Sequence, residues 1–494
     1  MSVPPRTCLA ALVVLLASPL LAQESAEDQA LRLLEEGRAY REQGRLKQAF
    51  DNFNIIISSF ARTGVVGQAL LEVGRYRMEV DGDLAAARAA FEQVSRDHPQ
   101  SDAAPGAYYH LGLLTLRSAT APAELEDALA QFSRVETLYP SSDWVPRALQ
   151  ASAMVHRRGG RYAEAAAANR RVALEYPASD AAPRAQFETG MALALMGEPR
   201  TAMEEFQQVR NRFPDSPLAE TALEKITALY RLHGGAQPRF ALDEGFAAGS
   251  GDVLKGVRAL LVDREGSLWI ASEKTKSAVR LGDAGRIEAS VSAADPRTLS
   301  LVPGGGVAFA AKTAVRVDAR DVRMFTLPPE KPGDKPQPVD RILAAAVTPG
   351  GSVLVADEKE DTVYRFDAGG GFEGVFPPRS TDKRKVVRIV VDDEGAILLL
   401  DRNARTVTVC NEAGRVLRTI GPGGLRKPVD LAVDSFRNVY VADEEAGVVV
   451  FDAEGRSFLT LGGPELRKPT AITLDRTGAV LVYDDRESRV RRYR

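Results

Sequence analysis

Lys427-Pro428-Val429-Asp430-Leu431-Ala432-Val433-Asp434, followed by Val439-Tyr440-Val441-Ala442-Asp443 and Val448-Val449-Val450-Phe451-Asp452, decides the second half of this chain. Each apolar run is short, lacks polar alternation and is bounded by Asp, Asn or Gly, which marks strands covered on both faces. The run between Val433 and Val439, Asp434-Ser435-Phe436-Arg437-Asn438, reads as a tight turn joining two antiparallel strands.

The same text recurs six times. Its turns begin at Asp263, Pro303, Pro349, Asp392, Asp434 and Asp475, which lie 40, 46, 43, 42 and 41 residues apart. Second strands follow each turn, as in Leu268-Trp269-Ile270-Ala271, Val353-Leu354-Val355-Ala356 and Val480-Leu481-Val482-Tyr483. Third strands such as Thr362-Val363-Tyr364-Arg365-Phe366 lead through another Gly turn to a fourth. Four strands per unit of this length make a propeller blade, and six blades suit a closed ring. Residues 234–494 are therefore expected to form a six-bladed β-propeller. The last unit stops at Arg494 on its third strand, so its fourth is expected from Arg239 to Leu242, within a lead-in of residues 239–249. Such a clasp removes exposed strand edges.

Upstream the period changes. His98-Pro99-Gln100-Ser101, Tyr139-Pro140-Ser141-Ser142, Tyr176-Pro177-Ala178-Ser179 and Phe213-Pro214-Asp215-Ser216 place prolines 41, 37 and 37 residues apart. Before them, Ala and a bulky residue recur at i, i+4: Ala49/Phe53, Ala87/Phe91, Ala128/Phe132 and Ala202/Phe206, with Ala165/Asn169 as the exception. A small residue precedes each pair: Gly37, Gly74, Gly112, Ala153 and Gly190. Small residues let two helices approach, the aromatic fills the gap, and the proline ends the second helix. Glu42-Gln43-Gly44-Arg45, Gly159-Gly160-Arg161 and Gly197-Glu198-Pro199 read as turns within helix pairs. This predicts an α-helical solenoid over residues 23–233, with five helix pairs from about Glu27 to Arg212 and a capping helix near Pro217 to Leu232. The third pair carries extra residues, Ser118 to Ala121.

The helical text resembles tetratricopeptide repeats of the longer variant found in bacterial envelope proteins, and the blade text resembles NHL repeats. The first resemblance implies a concave groove that holds a peptide or a neighbouring protein. By register from the small residue, its lining would be Arg38, Arg41, Gln68, Arg75, Tyr109, Arg147, Gln150, Arg157 and Arg184. Six of these nine are arginines, which suit acidic segments or a terminal carboxylate if they are not already paired with Glu and Asp on adjacent helices. The second resemblance is specific for fold and weak for function, since its relatives include binding modules and enzymes.

The remaining chemistry is sparse. The four histidines, His98, His110, His156 and His233, all lie in or beside the helical array. A His-dependent zinc or general-base site in the propeller is thereby excluded. Asp357, Asp401, Asp443 and Asp484 close second strands and are the candidates for a carboxylate-only calcium site; the competing role is acceptance of backbone N–H bonds at the turn. Ser272 and Ala311 stand in their place in the first two blades. Lys255, Lys383, Arg384, Lys385, Arg426, Lys427, Arg467 and Lys468 gather before the first strands and predict a partly basic rim on one propeller face. Asp443-Glu444-Glu445 on the same face would offset it.

The chain has 494 residues, 45% hydrophobic and 27% charged, with net charge −3. That balance gives no electrostatic reason for nucleic acid or an anionic membrane as partner. Arg6, an apolar run from Leu9 to Leu21 and the small residue Ala22 read as a cleaved secretory signal over residues 1–22, too short to span a bilayer. Cys8 precedes the apolar run, so lipidation is not expected, and cleavage leaves Cys410 as the one cysteine. No cofactor is implied. The expectation is a periplasmic or secreted, non-enzymatic scaffold that binds envelope proteins or peptides, including acidic segments. The alternative is a calcium-dependent, lactonase-like propeller hydrolase or lyase with the solenoid as a targeting arm.

Overall fold

The computed structural model describes residues 25–494 except 120, 236–239, 247, 249–250, 283–284, 294, 303–304, 318–320, 330–334, 378–383 and 464. The expected signal segment, Cys8 and Lys383 lie outside the described residues. Eleven α-helices precede the strands: α1 (Ala26–Glu42), α2 (Leu46–Ser59), α3 (Val66–Tyr76), α4 (Leu84–Asp97), α5 (Ala104–Ser118), α6 (Pro122–Leu138), α7 (Val145–Arg158), α8 (Tyr162–Glu175), α9 (Ala182–Leu195), α10 (Pro199–Arg212) and α11 (Leu218–His233). They form the five pairs and the capping helix that the spacing predicts.

Local chemistry sets the helix ends. Ser25 caps α1: its Oγ accepts the Asp28 N–H at 3.1 Å while the Asp28 carboxylate accepts the Ser25 N–H at 3.3 Å. At the proline junctions the serine does two things. Ser142, Ser179 and Ser216 donate their N–H to the carbonyls of Tyr139, Tyr176 and Phe213 at 2.9–3.0 Å, closing the ended helix. Their hydroxyls accept N–H groups of Trp144, Ala181 and Leu218 at 3.2–3.3 Å, opening the next one. Within pairs, Gly44, Gly82, Gly160 and Gly197 turn the chain at φ of 68 to 79°, a region glycine enters freely. The third pair has no such glycine between its helices.

The chain divides into two compact units, up to Val155 and from His156 onward, with the division inside α7. The first unit packs α1 to α5 around Leu34, Phe53, Ile56, Phe91, Val94 and Leu111. The second unit contains α8 to α11 together with the whole propeller.

Each propeller blade is an antiparallel sheet in chain order. Blade five shows the pattern: Pro428–Val433 pairs with Val439–Asp443, then Gly447–Phe451, then Ser457–Leu461. The innermost strands are Val257–Val262, Pro296–Leu301, Ile342–Val347, Val386–Val391, Pro428–Val433 and Pro469–Leu474, each touching the next, with the sixth touching the first. Blade two is the irregular one, with three-residue outer strands followed by a two-stranded ribbon of Thr326–Leu327 and Gln337–Pro338. Blade six has three strands of its own. Ala241 to Asp243 lie beside its last strand, Arg489–Tyr493, through Ala241 N–H to Arg494 O at 2.9 Å and Asp243 N–H to Arg492 O at 2.8 Å. The Asp243 carboxylate also pairs with Arg492 and, at 3.2 Å, with Arg494. A segment preceding blade one thus completes blade six, and the ring has no open seam.

Candidate functional site

The groove positions fall in both compact units. In the first, Arg38 on α1 donates to the side-chain amide oxygen Oε1 of Gln68 on α3 at 3.2 Å. Arg41 pairs with Glu72, which is 7% exposed, and Arg75 lies 3.6 Å from the same carboxylate and 3.8 Å from Glu79. Tyr109 packs against Trp144 and Phe132 at ring distances of 5.3 and 5.9 Å. The Arg147 guanidinium covers the Trp144 ring at 5.3 Å, while Gln150 is half-buried on α7. In the second unit, Glu188 plays the part of Glu72: Arg157 donates to it at 2.6 Å and Arg184 lies 3.7 Å away. Four of the six groove arginines, Arg41, Arg75, Arg157 and Arg184, therefore meet two carboxylates of the solenoid itself. Glu72 and Glu188 each sit four residues from another lining position, Gln68 and Arg184, on the same helix face, which is the signal that register alone could have supplied.

His110, next to Tyr109, is 5% exposed and stacks on Phe91 at 4.9 Å. Neither ring nitrogen has a hydrogen-bond partner. Burial first, then the nearby cations Arg75 and Arg147, push its pKa down to about 3, so it is neutral at physiological pH.

On the propeller, the loops before each first strand and after each second strand share one face, and the turns joining first to second strands occupy the other. The four strand-end aspartates belong to the first face and are 0–6% exposed. Asp443 accepts four backbone N–H bonds, from Arg426 at 2.7 Å, Lys427 at 2.8 Å, and Glu445 and Ala446 at 3.0 Å. Asp484 accepts from Arg467, Lys468 and Arg486, Asp401 from Asn403 and Ala404, and Asp357 from Lys359. Ser272 does the same work in blade one, donating to Lys255 O at 2.7 Å and accepting from Thr275. Among the described residues no group of three or more His, Cys, Asp and Glu is arranged to hold a metal ion.

The basic rim on that face is unevenly neutralised. Lys255 pairs with Asp252 and Lys468 with Asp485, both at 2.7 Å; Lys427 pairs with Glu444, and Arg467 lies 3.7 Å from Glu487. Arg384, Lys385 and Arg426 make no such pair with a described residue, and Arg384 Nη1 is buried without a hydrogen-bond partner.

Between neighbouring innermost strands lies a buried ion pair that the sequence reading did not single out. Arg388 Nε is 3.0 Å from Asp430 Oδ1, and both residues are under 5% exposed. Asp430 also accepts the N–H of Ile472 in blade six at 2.9 Å, as Thr298 accepts that of Ala345 at 3.2 Å. These side chains satisfy N–H groups along the unpaired inner edge of the sheets. Burial raises the Asp430 pKa, with Arg388 opposing the shift.

The turn face meets the last helices of the solenoid within the second unit. Phe436, in the blade-five turn, is buried among Phe187, Met191 and Leu229. Lys225 Nζ donates to Ser435 Oγ at 2.8 Å, and Glu224 pairs with Arg476 at 3.1 Å. Arg231 donates to the Thr477 carbonyl and to its hydroxyl at 2.9 Å. Arg157 reaches Glu394 of blade four at 3.6 Å, and Arg437 covers the Tyr162 ring. The sequence signal was a Phe in a turn where the other blades carry Glu, Thr or Gly.

These features define a helical-repeat solenoid joined to a six-bladed propeller. The tetratricopeptide-repeat family model matches residues 68–101 and 184–216, which cover α3 with α4 and α9 with α10. These matches fall on two of the five helix pairs and support a tetratricopeptide-like solenoid, an architecture that suggests protein–protein contacts. No curated protein matches the chain. Among solved structures, a streptogramin B lyase is 10% identical, spanning 52% of this chain and 98% of its own, with a TM-score of 0.39. A catalytically inactive virginiamycin B lyase from Staphylococcus aureus is 14% identical over 51% of this chain and 85% of its own, TM-score 0.39. The WD40 propeller domain of Doa1 is 15% identical over 48% and 78%, TM-score 0.38. Among the described residues no helix is long and apolar enough to cross a membrane.

Proposed function

We propose that the protein is an exported, non-enzymatic scaffold of the cell envelope that holds other proteins through its solenoid and one face of its propeller. The observation that carries this reading is the division of labour between the propeller faces. Helices of the solenoid occupy the turn face of blades four to six, so the opposite face, with its long charged loops, is left for partners. On that face the carboxylates that would build a calcium site are committed to backbone N–H groups, which speaks against the lactonase-like alternative. The resemblance of the helical text to envelope-type tetratricopeptide repeats and the signal-like sequence of residues 1–22 support the envelope assignment.

Photo-crosslinkers placed at Lys359 and Arg486 on the exposed loops, followed by partner identification in intact envelopes, test the reading. A discrete crosslinked protein is expected at these sites and not at Arg264, on the turn face. Calcium-dependent hydrolysis of a lactone by the purified chain would overturn it. Sequencing the mature amino terminus checks the export step, with Gln23 expected as the first residue.

A further inference from the structure

Blade four differs from its five neighbours. On the face carrying the lead-in loops, the described loops of blade one hold Asp252 and Glu273, of blade two Asp295, and of blade three Asp340, Glu358, Glu360 and Asp361. Blade five holds Glu444 and Glu445, and blade six Glu465, Asp485 and Glu487. The corresponding described residues of blade four are Arg384 and Lys385 before its first strand and Arg402-Asn403-Ala404-Arg405 after its second. Of the carboxylates in these blade-four loops, Asp382 lies outside the described residues, and Asp401 is 6% exposed and accepts the N–H groups of Asn403 and Ala404. Arg426 of blade five extends the same sector, because Glu444 is already engaged by Lys427.

None of these five cations makes an ion pair with a described residue, and one has a buried, unsatisfied donor, Arg384 Nη1. Elsewhere in the protein arginines of this kind are neutralised: Arg41 and Arg75 by Glu72, Arg157 and Arg184 by Glu188, and Arg388 by Asp430. Among the described residues of this face, blade four is the sector whose loops carry cations and no exposed carboxylate.

We infer that this sector, formed by Arg384, Lys385, Arg402, Arg405 and Arg426, docks a short acidic polypeptide segment of a partner protein. The inference rests on reading the propeller as a partner-binding module, and it moves acidic recognition from the solenoid groove to blade four. Charge complementarity selects the occupant. Guanidinium groups present paired N–H donors that match a carboxylate in two-point geometry. The sector is one blade wide and is flanked by Glu358, Glu360 and Asp361 on one side and Glu445 on the other. A broad polyanion, whether a membrane surface or a nucleic acid, would meet those carboxylates, whereas a few consecutive Asp or Glu residues would not.

Fluorescence polarisation of the full chain with a labelled Asp/Glu-rich peptide tests the site. Arg402→Glu combined with Arg405→Asn is the diagnostic variant. Arg405 sits at φ 57°, a conformation asparagine accepts, so the loop keeps its shape. The double variant is expected to weaken peptide binding about tenfold or more, and added salt should weaken the unaltered protein in the same direction. Reversing Arg147 and Arg184 in the solenoid should leave peptide binding unchanged. Equal binding by the blade-four variant, loss only in the solenoid variant, or no peptide binding overturns the inference. So does capture of phosphatidylglycerol vesicles through Arg402 and Arg405 in place of the peptide. An envelope partner whose crosslinking ignores Arg402 and Arg405 would sink this site and leave the scaffold reading standing.

Discussion

A Cβ placed on Gly74 would lie 2.5 Å from Cε1 of Phe91, closer than two carbon atoms can approach. The same relationship joins Gly37 to Phe53, Gly112 to Phe132 and Gly190 to Phe206, at 2.5 to 2.8 Å. The ring on each second helix therefore rests on bare backbone of the first. Gly74→Ala should destabilise the solenoid by about 1–3 kcal/mol through overpacking, even though alanine is the better helix former. Denaturant unfolding followed by far-UV circular dichroism measures the loss. Phe91→Leu in the Gly74→Ala background should recover part of it, giving a non-additive cycle.

That contact also explains what the sequence could and could not disclose. Gly74 and Phe91 were legible because the contact repeats at constant spacing, and the fourth pair even reads Ala153 with Asn169 at the two register positions. The blades were legible for the same reason, since Asp392, Asp434 and Asp475 hold their turns by accepting N–H groups two and four residues on. Features that occur once were not legible. Phe436 buries itself between two repeat arrays, and nothing periodic announces it. Groove register located Arg41 and Arg157 but was not carried one turn further along the same helix faces, from Gln68 to Glu72 and from Arg184 to Glu188, where their partners stand. The blade-four sector emerged only when paired and unpaired cations were separated in three dimensions.

His110 makes the first unit sensitive to acid. Its pKa is about 3 in the fold against an ordinary 6.5, so the unfolded chain binds a proton that the folded chain refuses. Stability from this group is fully present above pH 6.5 and is lost as pH falls toward 3. Between pH 7 and pH 5 the loss amounts to about 2 kcal/mol. His110→Phe should flatten that slope and leave stability at pH 7 unchanged or higher, because both ring nitrogens are orphaned in the fold. Urea midpoints at the two pH values, compared between variant and parent, decide the matter.

Asp443 should behave as a structural residue and not as a metal ligand. Asp443→Ala strands the N–H groups of Arg426, Lys427, Glu445 and Ala446, all of which bond to this one buried carboxylate. The expected cost is about 2–4 kcal/mol of propeller stability, and Asp443→Asn should recover part of it. Calcium should not shift the melting temperature of the parent protein, and chelation should not lower it. A calcium-dependent rise abolished by Asp443→Asn would return the enzymatic alternative to favour.

Arg231 tests whether the last helix is held on the propeller by chemistry or only by the linker. Its guanidinium reaches the Thr477 carbonyl and hydroxyl in the blade-six turn, where Gly478 at φ 75° leaves no side chain to hold α11 away. A Cβ at Gly478 would come within 2.8 Å of Ala228 Cβ, so the helix and the turn touch backbone to backbone. Arg231→Ala removes a charged donor worth about 1.5–3 kcal/mol and leaves the Thr477 carbonyl without its partner. Local opening should then become about tenfold more populated, and protease cleavage between residues 234 and 250 should accelerate to match. Both arrays should keep their circular dichroism spectra, since neither core contains Arg231. An unchanged cleavage rate would show that Phe436, Lys225 and Glu224 suffice to hold α11 in place.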